Sequence, residues 1–317
     1  MDISIIIPNY NGEELLRKNL PKVFDSLLSY KDGGVEIVVI DDCSIDNSIN
    51  ILEKLKSELE YKYPHIKFKI IKNEKNLGFS SNVNKGAKNA NGDILILLNT
   101  DVVPKKDFLN PLLSHFSDSH VFAVGCMDKS IENGKIVSRG RGMGVWNRGF
   151  LIHSRGEVNK TNTLWVSGGS GAFRKSIWEK LDGFDELYNP FYWEDIDLSY
   201  RAVKSGYQVL FEPKSVVIHQ HEKGAIKKSY SNSQIKTIAY RNQFIFVWKN
   251  TTDLDLKFLH LLWLPYHFFK TVLRKDIPFF KGFFCALIRL SEIIAFRLKA
   301  KKYYVKTDKE IVSQLSG

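Results

Sequence analysis

The first hundred residues alternate short, continuously apolar runs with longer segments whose apolar residues recur on one face. The apolar runs predict four strands, at residues 3–8, 35–42, 66–71 and 93–99. The amphipathic segments predict helices between them, at residues 12–29, 45–61 and 80–90. Strands that lack alternation and are spaced by helices are typical of a parallel sheet covered on both faces. The pattern therefore predicts an α/β fold.

The pattern is less regular from residue 120 onward. Residues 165–186 predict a strand, a Gly-Ser turn and a helix beginning near Lys175. An acidic stretch then leads into a helix that Gly206 ends, and two short strands, QVLFEP and SVVIHQH, follow it. The chain has 317 residues, which fits one large domain or a domain with an extension.

The net charge and the mixture of residue types change toward the C-terminus. Residues 1–221 hold 28 Lys and Arg against 28 Asp and Glu, whereas residues 222–317 hold 18 against 7. From about residue 235, aromatic and aliphatic residues mix with cations that interrupt every window long enough to span a membrane. This favours basic amphipathic helices lying in a membrane interface, with their cations at anionic headgroups. A helical bundle packed on the preceding domain is the alternative.

Cysteine usage and short motifs narrow the class of protein. Cys43, Cys126 and Cys285 are too few and too scattered for a disulfide framework or a zinc site, which suits a reducing compartment. The N-terminal apolar run follows an acid and breaks at Pro8, so no signal peptide is expected. The sequence contains no dinucleotide-binding, P-loop, nucleophile-elbow or HExxH motif. We therefore expect a cytoplasmic protein outside those classes.

Three predicted strands end in polar clusters: Pro8-Asn9-Tyr10-Asn11, Asp41-Asp42 and Asn99-Thr100-Asp101. Open α/β sheets bind ligands outside the carboxyl ends of their strands, so we expect these clusters to converge on one crevice. Asp101 follows a strand too apolar to be half exposed, so its carboxylate should be paired or should hold Mg²⁺ or Mn²⁺. A turn aspartate before Pro104 is the alternative.

Further carboxylates suggest the chemistry of the crevice. Asp41 and Asp42 can accept hydrogen bonds from a nucleotide base or from ribose hydroxyls. Alternatively, one of them can cap the next helix. Glu194, Asp195 and Asp197 lie between aromatic residues, and clustered carboxylates raise one another's pKa and can supply a general base. Acids placed at a helix N-terminus for the sake of its dipole are the alternative.

Histidines and glycines complete the set of candidates. His219 and His221 end the last predicted strand, where a histidine can bind a metal or a phosphate or can be structural. Gly168 and Gly169 can let a substrate approach the backbone closely.

Six blocks in this order resemble the family 2 glycosyltransferases of the GT-A fold: SIIIPNYNG, EIVVIDDCSIDNS, NLGFSSNVNKGAKNANGDILILLNTD, SGGSGAFRKSIWEKLDGFDE, FYWEDIDLSYRAVKSGYQVLFEP and VVIHQH. The resemblance covers residues 3–221 and is nearest to bacterial rhamnosyltransferases and other cell-surface polysaccharide enzymes. It implies a GT-A catalytic domain at 1–221, with a nucleotide-sugar-binding half at 1–104 and an acceptor half at 105–221. The basic helical region at 222–317 would then be a C-terminal extension.

The resemblance also implies roles for single residues. Those expected to bind the nucleotide sugar are Pro8, Tyr10, Asn11, Asp41, Asp42, Asn84, Asn99 and Thr100, together with Gly168 and Gly169. Asp101 stands where the family's DxD motif binds its metal, and His219 matches a histidine that completes the metal or diphosphate site in some members. Asp195 resembles the catalytic base, with Glu194 as the alternative. Asn99 departs from the motif, because an amide replaces its first acid and weakens the expected hold on a metal.

The implied reaction moves a sugar from a UDP- or dTDP-sugar to a hydroxyl of a lipid-linked or polysaccharide acceptor. One carboxylate base, with no second carboxylate as nucleophile, implies a single displacement with inversion. A divalent metal, Mg²⁺ or Mn²⁺, would offset charge on the leaving diphosphate. The expected location is the cytoplasmic face of an anionic membrane, with no nucleic-acid partner. A nucleotidyltransferase and a non-catalytic membrane-bound scaffold are the competing interpretations.

Overall fold

The computed structural model describes residues 1–132, 135–219 and 229–315. His221 and the predicted domain boundary between residues 221 and 222 therefore lie outside the described residues.

One nine-stranded sheet forms the centre of the molecule, and a two-stranded hairpin lies beside it. Its strands are β1 (Ile3–Asn9), β2 (Val35–Asp41), β3 (Ile66–Lys72), β4 (Ile94–Leu98), β5 (Val102–Pro104), β6 (Val121–Glu132), β7 (Lys135–Arg139), β10 (Ser170–Arg174) and β11 (Gln208–His219), and the hairpin is β8 (Gly142–Asn147) with β9 (Phe150–Arg155). The order across the sheet is β3-β2-β1-β4-β10-β6-β11-β5, with β7 paired to β6. The sheet is mostly parallel among the described residues, since only β5, β7 and β10 run against the other strands.

Helices flank this sheet and continue to the end of the described chain. They are α1 (Glu13–Ser26), α2 (Ser48–Lys62), α3 (Phe79–Asn89), α4 (Leu109–Ser114), α5 (Lys175–Lys180), α6 (Glu194–Lys204), α7 (Asn232–Asn250), α8 (Leu254–Arg274), α9 (Ile277–Ile288), α10 (Leu290–Lys301) and α11 (Asp308–Ser313). No helix in the described part of the chain is long and apolar enough to cross a membrane.

The central strands are apolar because both faces of the sheet are covered. Ile5, Ile37 and Ile96 pack into the core on one face, and Ile6 and Leu97 pack into the core on the other. The prediction of an α/β fold with a mostly parallel sheet is therefore confirmed.

Two predicted elements differ from the structure. Residues 165–169 form no strand, and the strand of that block is β10, which follows the Gly-Ser turn instead of preceding it. The two short strands predicted at the end of the block are one strand, β11. The strand continues past Pro213 and Lys214, with an irregularity in its pairing to β6 between Glu212 and Val216.

The C-terminal helices share the core of the sheet. Phe244, Ile245 and Phe246 of α7 belong to the same hydrophobic cluster as Ile6 and Val38 of the central strands. The helical extension thus packs on its inner side, as the bundle interpretation expects.

Candidate functional site

The parallel register of the sheet brings the first two polar clusters together. Pro8 pairs with Ile40 and Asn9 with Asp41 at the carboxyl ends of β1 and β2. Asn9 Nδ2 donates to Asp41 Oδ1 at 2.7 Å, and both residues are buried. The predicted convergence of these strand ends therefore holds for β1 and β2.

Asn11 and Asp41 order the loop that follows β2. Asn11 has φ of 50°, and its side-chain Oδ1 accepts from the Ile45 N–H at 2.8 Å. Asp41 Oδ2 accepts from the Ser44 N–H at 2.9 Å. The helix after this loop begins at Ser48. Its first N–H is bound by Asp46 Oδ1 at 3.0 Å, so the capping interpretation of the acid pair is wrong.

Asp42 holds a second loop against the crevice. Its Oδ1 accepts from the Leu77 N–H at 2.8 Å, and its Oδ2 accepts from the Gly78 N–H at 2.9 Å. Gly78 has φ of 86°, in the region that favours glycine, and it directly precedes α3. Asn84 of α3 donates to the Phe184 carbonyl at 2.7 Å and accepts from the Phe184 N–H at 3.0 Å. The nitrogen and the oxygen of its side-chain amide are therefore both bound to backbone groups.

A glycine turn connects Asn99 to the candidate base. The Asn99 N–H donates to the Gly169 carbonyl at 3.0 Å, and the Gly168 N–H donates to Asp195 Oδ2 at 3.4 Å. A Cβ on Gly169 would lie only 2.4 Å from Asn99 Nδ2, so the amide rests directly on the turn. The end of β4 and the start of α6 thus meet at Gly168–Gly169.

Asp101 and His219 lie together because β5 pairs with the end of β11, where Val102 is opposite His219. His219 Nε2 lies 3.3 Å from Asp101 Oδ2, and His219 Nδ1 lies 2.9 Å from Asp128 Oδ2. Burial alone would lower the pKa of His219, but hydrogen bonds and charge from the two aspartates outweigh it and raise the pKa to about 9. The Thr100 carbonyl accepts from Asn19 Nδ2 at 2.9 Å.

The donor set at this point fits a divalent metal that keeps open positions. A carboxylate oxygen of Asp101 is a ligand that Mn²⁺ accepts, and so is His219 Nε2 once the ring has lost the proton that the two aspartates stabilise. A nucleoside diphosphate would supply further oxygens. Within residues 1–132, 135–219 and 229–315, no three His, Cys, Asp or Glu side chains form a metal-holding group by themselves.

Glu194 and Asp195 begin α6 after two residues in left-handed conformation, Tyr192 and Trp193. Burial, and then the charge of Asp195, raise the pKa of Glu194 well above its ordinary value. Burial also raises the pKa of Asp195, whose hydrogen bonds from the Ile196 and Gly168 N–H groups act in the opposite direction. Glu194 Oε2 is buried without a hydrogen-bond partner in the described structure. Two buried carboxyls that hold protons more readily than usual are therefore adjacent in the chain at the start of α6, and one of them, Asp195, contacts the glycine turn.

Asp197, the third carboxylate of the cluster, has a different environment. Its Oδ1 lies 2.7 Å from Lys249 Nζ of α7, and its Oδ2 accepts from Arg201 Nε at 2.8 Å. Burial would raise the pKa of Asp197, but these cations outweigh it and lower the pKa to about 2. Asp197 is thus a structural residue that ties α6 to the C-terminal helices.

Two residues of the site could not be identified from the sequence. Asp128 lies inside β6, where no strand end marks it, and only the pairing with β11 brings it to His219. Asn242 of α7 is fully buried, and its Nδ2 donates to the carbonyls of Phe191 at 2.9 Å and Tyr192 at 2.8 Å. It therefore holds the turn that precedes Glu194.

We expect Gly169→Ala to lower kcat/KM by about ten- to a hundredfold, since small displacements at a site have effects of that size. The new Cβ would displace the Asn99 side chain, which can rotate away without unfolding the protein. Steady-state kinetics and thermal unfolding measure the two effects. Gly125→Ala is the matched control, because its Cβ would meet Val166 at an ordinary 3.6 Å. Equal activity of the two variants would show that the position of Asn99 is unimportant.

The comparison with known families agrees with this geometry. The sequence profile described as glycosyl transferase family 2 matches residues 4–182, which is more than half of the chain. The chain therefore belongs to the family 2 glycosyltransferases, as the resemblance implied.

Among curated relatives, the chain is similar to the O-antigen chain rhamnosyltransferase RfbN of Salmonella typhimurium, with 26% identity over 70% of this chain and 67% of that protein. It is also similar to the probable glycosyltransferase YdaM of Bacillus subtilis, with 29% identity over 69% of this chain. The chain spans only 50% of that second relative.

Solved structures show the same fold. GalNAc-T7 with UDP, GalNAc and Mn²⁺ superposes with a TM-score of 0.62 at 20% identity, covering 78% of this chain and 48% of that one. Residues 1–349 of S. aureus TarS with UDP-GlcNAc superpose with a TM-score of 0.59 at 17% identity, covering 99% of this chain and 90% of that one. These neighbours are GT-A glycosyltransferases, so the predicted GT-A fold is confirmed.

Proposed function

We propose that this protein is an inverting glycosyltransferase that uses a nucleoside-diphosphate sugar. The observation that carries the proposal is the glycine turn Gly168–Gly169, which contacts Asn99 on one side and Asp195 on the other. A donor diphosphate near Asn99 and Asp101 would thus have its sugar beside a buried carboxylate. Donor and base are the two components that a single displacement requires.

In this proposal Asp195 is the general base. The acceptor hydroxyl attacks the anomeric carbon, its proton passes to Asp195, and the bond from that carbon to the diphosphate oxygen breaks. The nucleoside diphosphate leaves with the bonding electrons, and the sugar is inverted. Glu194, buried beside Asp195 with an unpartnered oxygen, would hydrogen-bond the acceptor.

The remaining predicted residues would bind the donor. Pro8, Tyr10, Asn11, Asp41 and Asp42 would line the nucleotide end of the crevice. Asn11, Asp41 and Asp42 would do so through the loops that they order. Asp101 and His219 would hold Mg²⁺ or Mn²⁺, which when bound offsets the charge of the leaving diphosphate. Asn99 and Thr100 would contact the donor through neutral groups. Asn84 would act indirectly, by fixing the backbone at Phe184.

The donor class that fits is a UDP- or dTDP-sugar, and the acceptor class is a hydroxyl of a lipid-linked or polysaccharide glycan. UDP, UDP-GlcNAc and Mn²⁺ in the neighbours' structures support the donor and the metal. The rhamnosyltransferase relative supports a cell-envelope acceptor. Such an acceptor would be met at the cytoplasmic face of the membrane.

A screen of UDP-, dTDP- and GDP-sugars with and without Mn²⁺ tests the proposal. The true donor should raise the unfolding temperature, because ligands that bind only the native state stabilise it by mass action. The same donor should release a nucleoside diphosphate slowly to water and faster with a glycan acceptor. Binding without any release, for every donor and acceptor tried, would instead support the non-catalytic scaffold.

A further inference from the structure

The outer side of α8 carries a row of apolar side chains that nothing in the described structure covers. Its members are Phe258, Leu261, Leu262, Phe269, Val272 and Leu273, each between 58 and 68% exposed. We call this set the α8 apolar face. The opposite side of α8 is packed on the protein, where Leu256, His260 and Thr271 are buried.

The inner side fixes the direction in which this face points. His260 Nδ1 lies 2.8 Å from the Gly149 carbonyl, and Trp248 Nε1 donates to His260 Nε2 at 3.0 Å. A rotation of α8 that buried the apolar face would break both contacts. The fold therefore holds this row of side chains in an exposed position, as expected of a surface that binds a partner.

Cations border the α8 apolar face. On a helix of 3.6 residues per turn, the face covers about 120°, with Lys257 beyond one edge and Lys270 beyond the other. Asp255, at the start of the helix, is paired with Lys309 at 2.5 Å. Ile288 of α9 and Leu298 of α10 are also exposed. An apolar face about 22 Å long with cations on both margins is the arrangement of a helix lying in a membrane interface.

We propose that the α8 apolar face docks on the surface of an anionic phospholipid bilayer, with α8 parallel to the membrane plane. The excess of 18 cations over 7 acids in residues 222–317 complements anionic headgroups. A second copy of the chain would fit less well, because it would bring the same cations face to face. The docking does not depend on the proposed sugar chemistry, and it would place the enzyme where a lipid-linked acceptor is found.

The proposal is tested by cosedimentation of the full chain with vesicles of phosphatidylcholine, with and without phosphatidylglycerol. A charge-neutral triple variant, Phe258→Gln with Leu262→Gln and Phe269→Gln, should fold normally because all three side chains are exposed. We expect its partition onto phosphatidylglycerol vesicles to fall at least about tenfold, since three apolar groups no longer insert. Deleting residues 255–317 would be a poorer test, because it also removes the buried Phe279 and Asp308.

A second triple variant serves as the matched control: Leu28→Gln, Tyr61→Gln and Ile136→Gln replace exposed apolar side chains elsewhere. This control should bind vesicles as the wild type does, and raising the salt should weaken binding because screening shortens the reach of the cations. Equal binding by all three proteins, or no vesicle binding by the wild type, would overturn the proposal. A dimer in lipid-free solution that the first variant dissociates would assign the face to a second copy instead. Donor-induced thermal shifts, unchanged in both variants, keep this result separate from the proposed function.

Discussion

Asp195→Asn is expected to lower kcat by about a thousandfold, since a positioned general base contributes roughly 10²- to 10⁴-fold. The amide keeps the shape of the carboxylate and can still accept from the Gly168 N–H, but it cannot take the acceptor proton. Donor affinity should change little, because the residues proposed to bind the diphosphate lie at strand ends and not on α6. Single-turnover kinetics with the donor identified by the screen, together with donor binding by calorimetry, measure the two quantities.

Glu194→Gln is the matched control for this experiment. It removes the neighbouring carboxyl, whose Oε2 has no hydrogen-bond partner in the described structure. We expect a smaller loss of kcat and a larger rise in the KM for the acceptor. If Asp195→Asn keeps its activity and Glu194→Gln loses it, the base is Glu194.

The pH profile provides a separate test of the base. Burial raises the pKa of Asp195 above its ordinary value of 3.8, so protonation removes the base at a higher pH than for an exposed aspartate. On the acid side, kcat/KM should therefore rise with pH, with its midpoint above 3.8. The pH profile of the residual activity of Asp195→Asn should lack this rise on the acid side. An unchanged rise would assign it to another group.

The sequence was sufficient to predict where the strands of the first half end. Asn9 and Asp41 terminate continuously apolar runs, and two parallel strands of that kind must bring their last residues to one edge of the sheet. Asn99 follows the same rule because β4 pairs in parallel with β1, whereas Asp101 lies beyond the end of β4 and is positioned by the antiparallel pairing of β5 with β11. These predictions needed only the local pattern and the rule that parallel strands share an edge.

The rest of the site depends on contacts between distant parts of the chain. Asp128 begins the polar second half of β6, where Lys129 and Ser130 follow it, and nothing local indicates that β11 will bring His219 beside it. Asn242 lies among aromatic residues in α7, and the carbonyls that satisfy its amide are about fifty residues away in sequence. The outward direction of the α8 apolar face is decided by what His260 contacts on the inner side. Periodicity can show that a helix is amphipathic, but which side meets the core is a property of tertiary packing.

The second prediction with a large expected effect concerns the ion pairs between Lys249 of α7 and two aspartates of the preceding domain. Lys249→Met should lower the free energy of unfolding by about 3–5 kcal/mol, the usual effect of removing one partner from a buried ion pair. Lys249 Nζ lies 2.6 Å from Asp185 Oδ2 and 2.7 Å from Asp197 Oδ1, and all three side chains are buried. Methionine fills a similar volume but leaves both carboxylates short of a cation. Urea unfolding followed by fluorescence measures the difference.

Lys299→Met is the matched control, because Lys299 pairs with Asp182 at 2.7 Å across side chains that are 57 and 49% exposed. Exposed pairs contribute less than about 1 kcal/mol, so this variant should unfold almost as the wild type does.

Acid unfolding gives a further check. The pKa of Asp197 is lowered from 3.8 to about 2, so its contribution to stability is present above pH 3.8 and is lost as the pH falls toward 2. Without Lys249 that pKa should rise, and the loss should begin at a higher pH. Equal stability of Lys249→Met and Lys299→Met in urea would mean that α7 is not an integral part of the catalytic domain. A large loss confined to Lys249→Met would mean that residues on both sides of the predicted boundary fold as one unit.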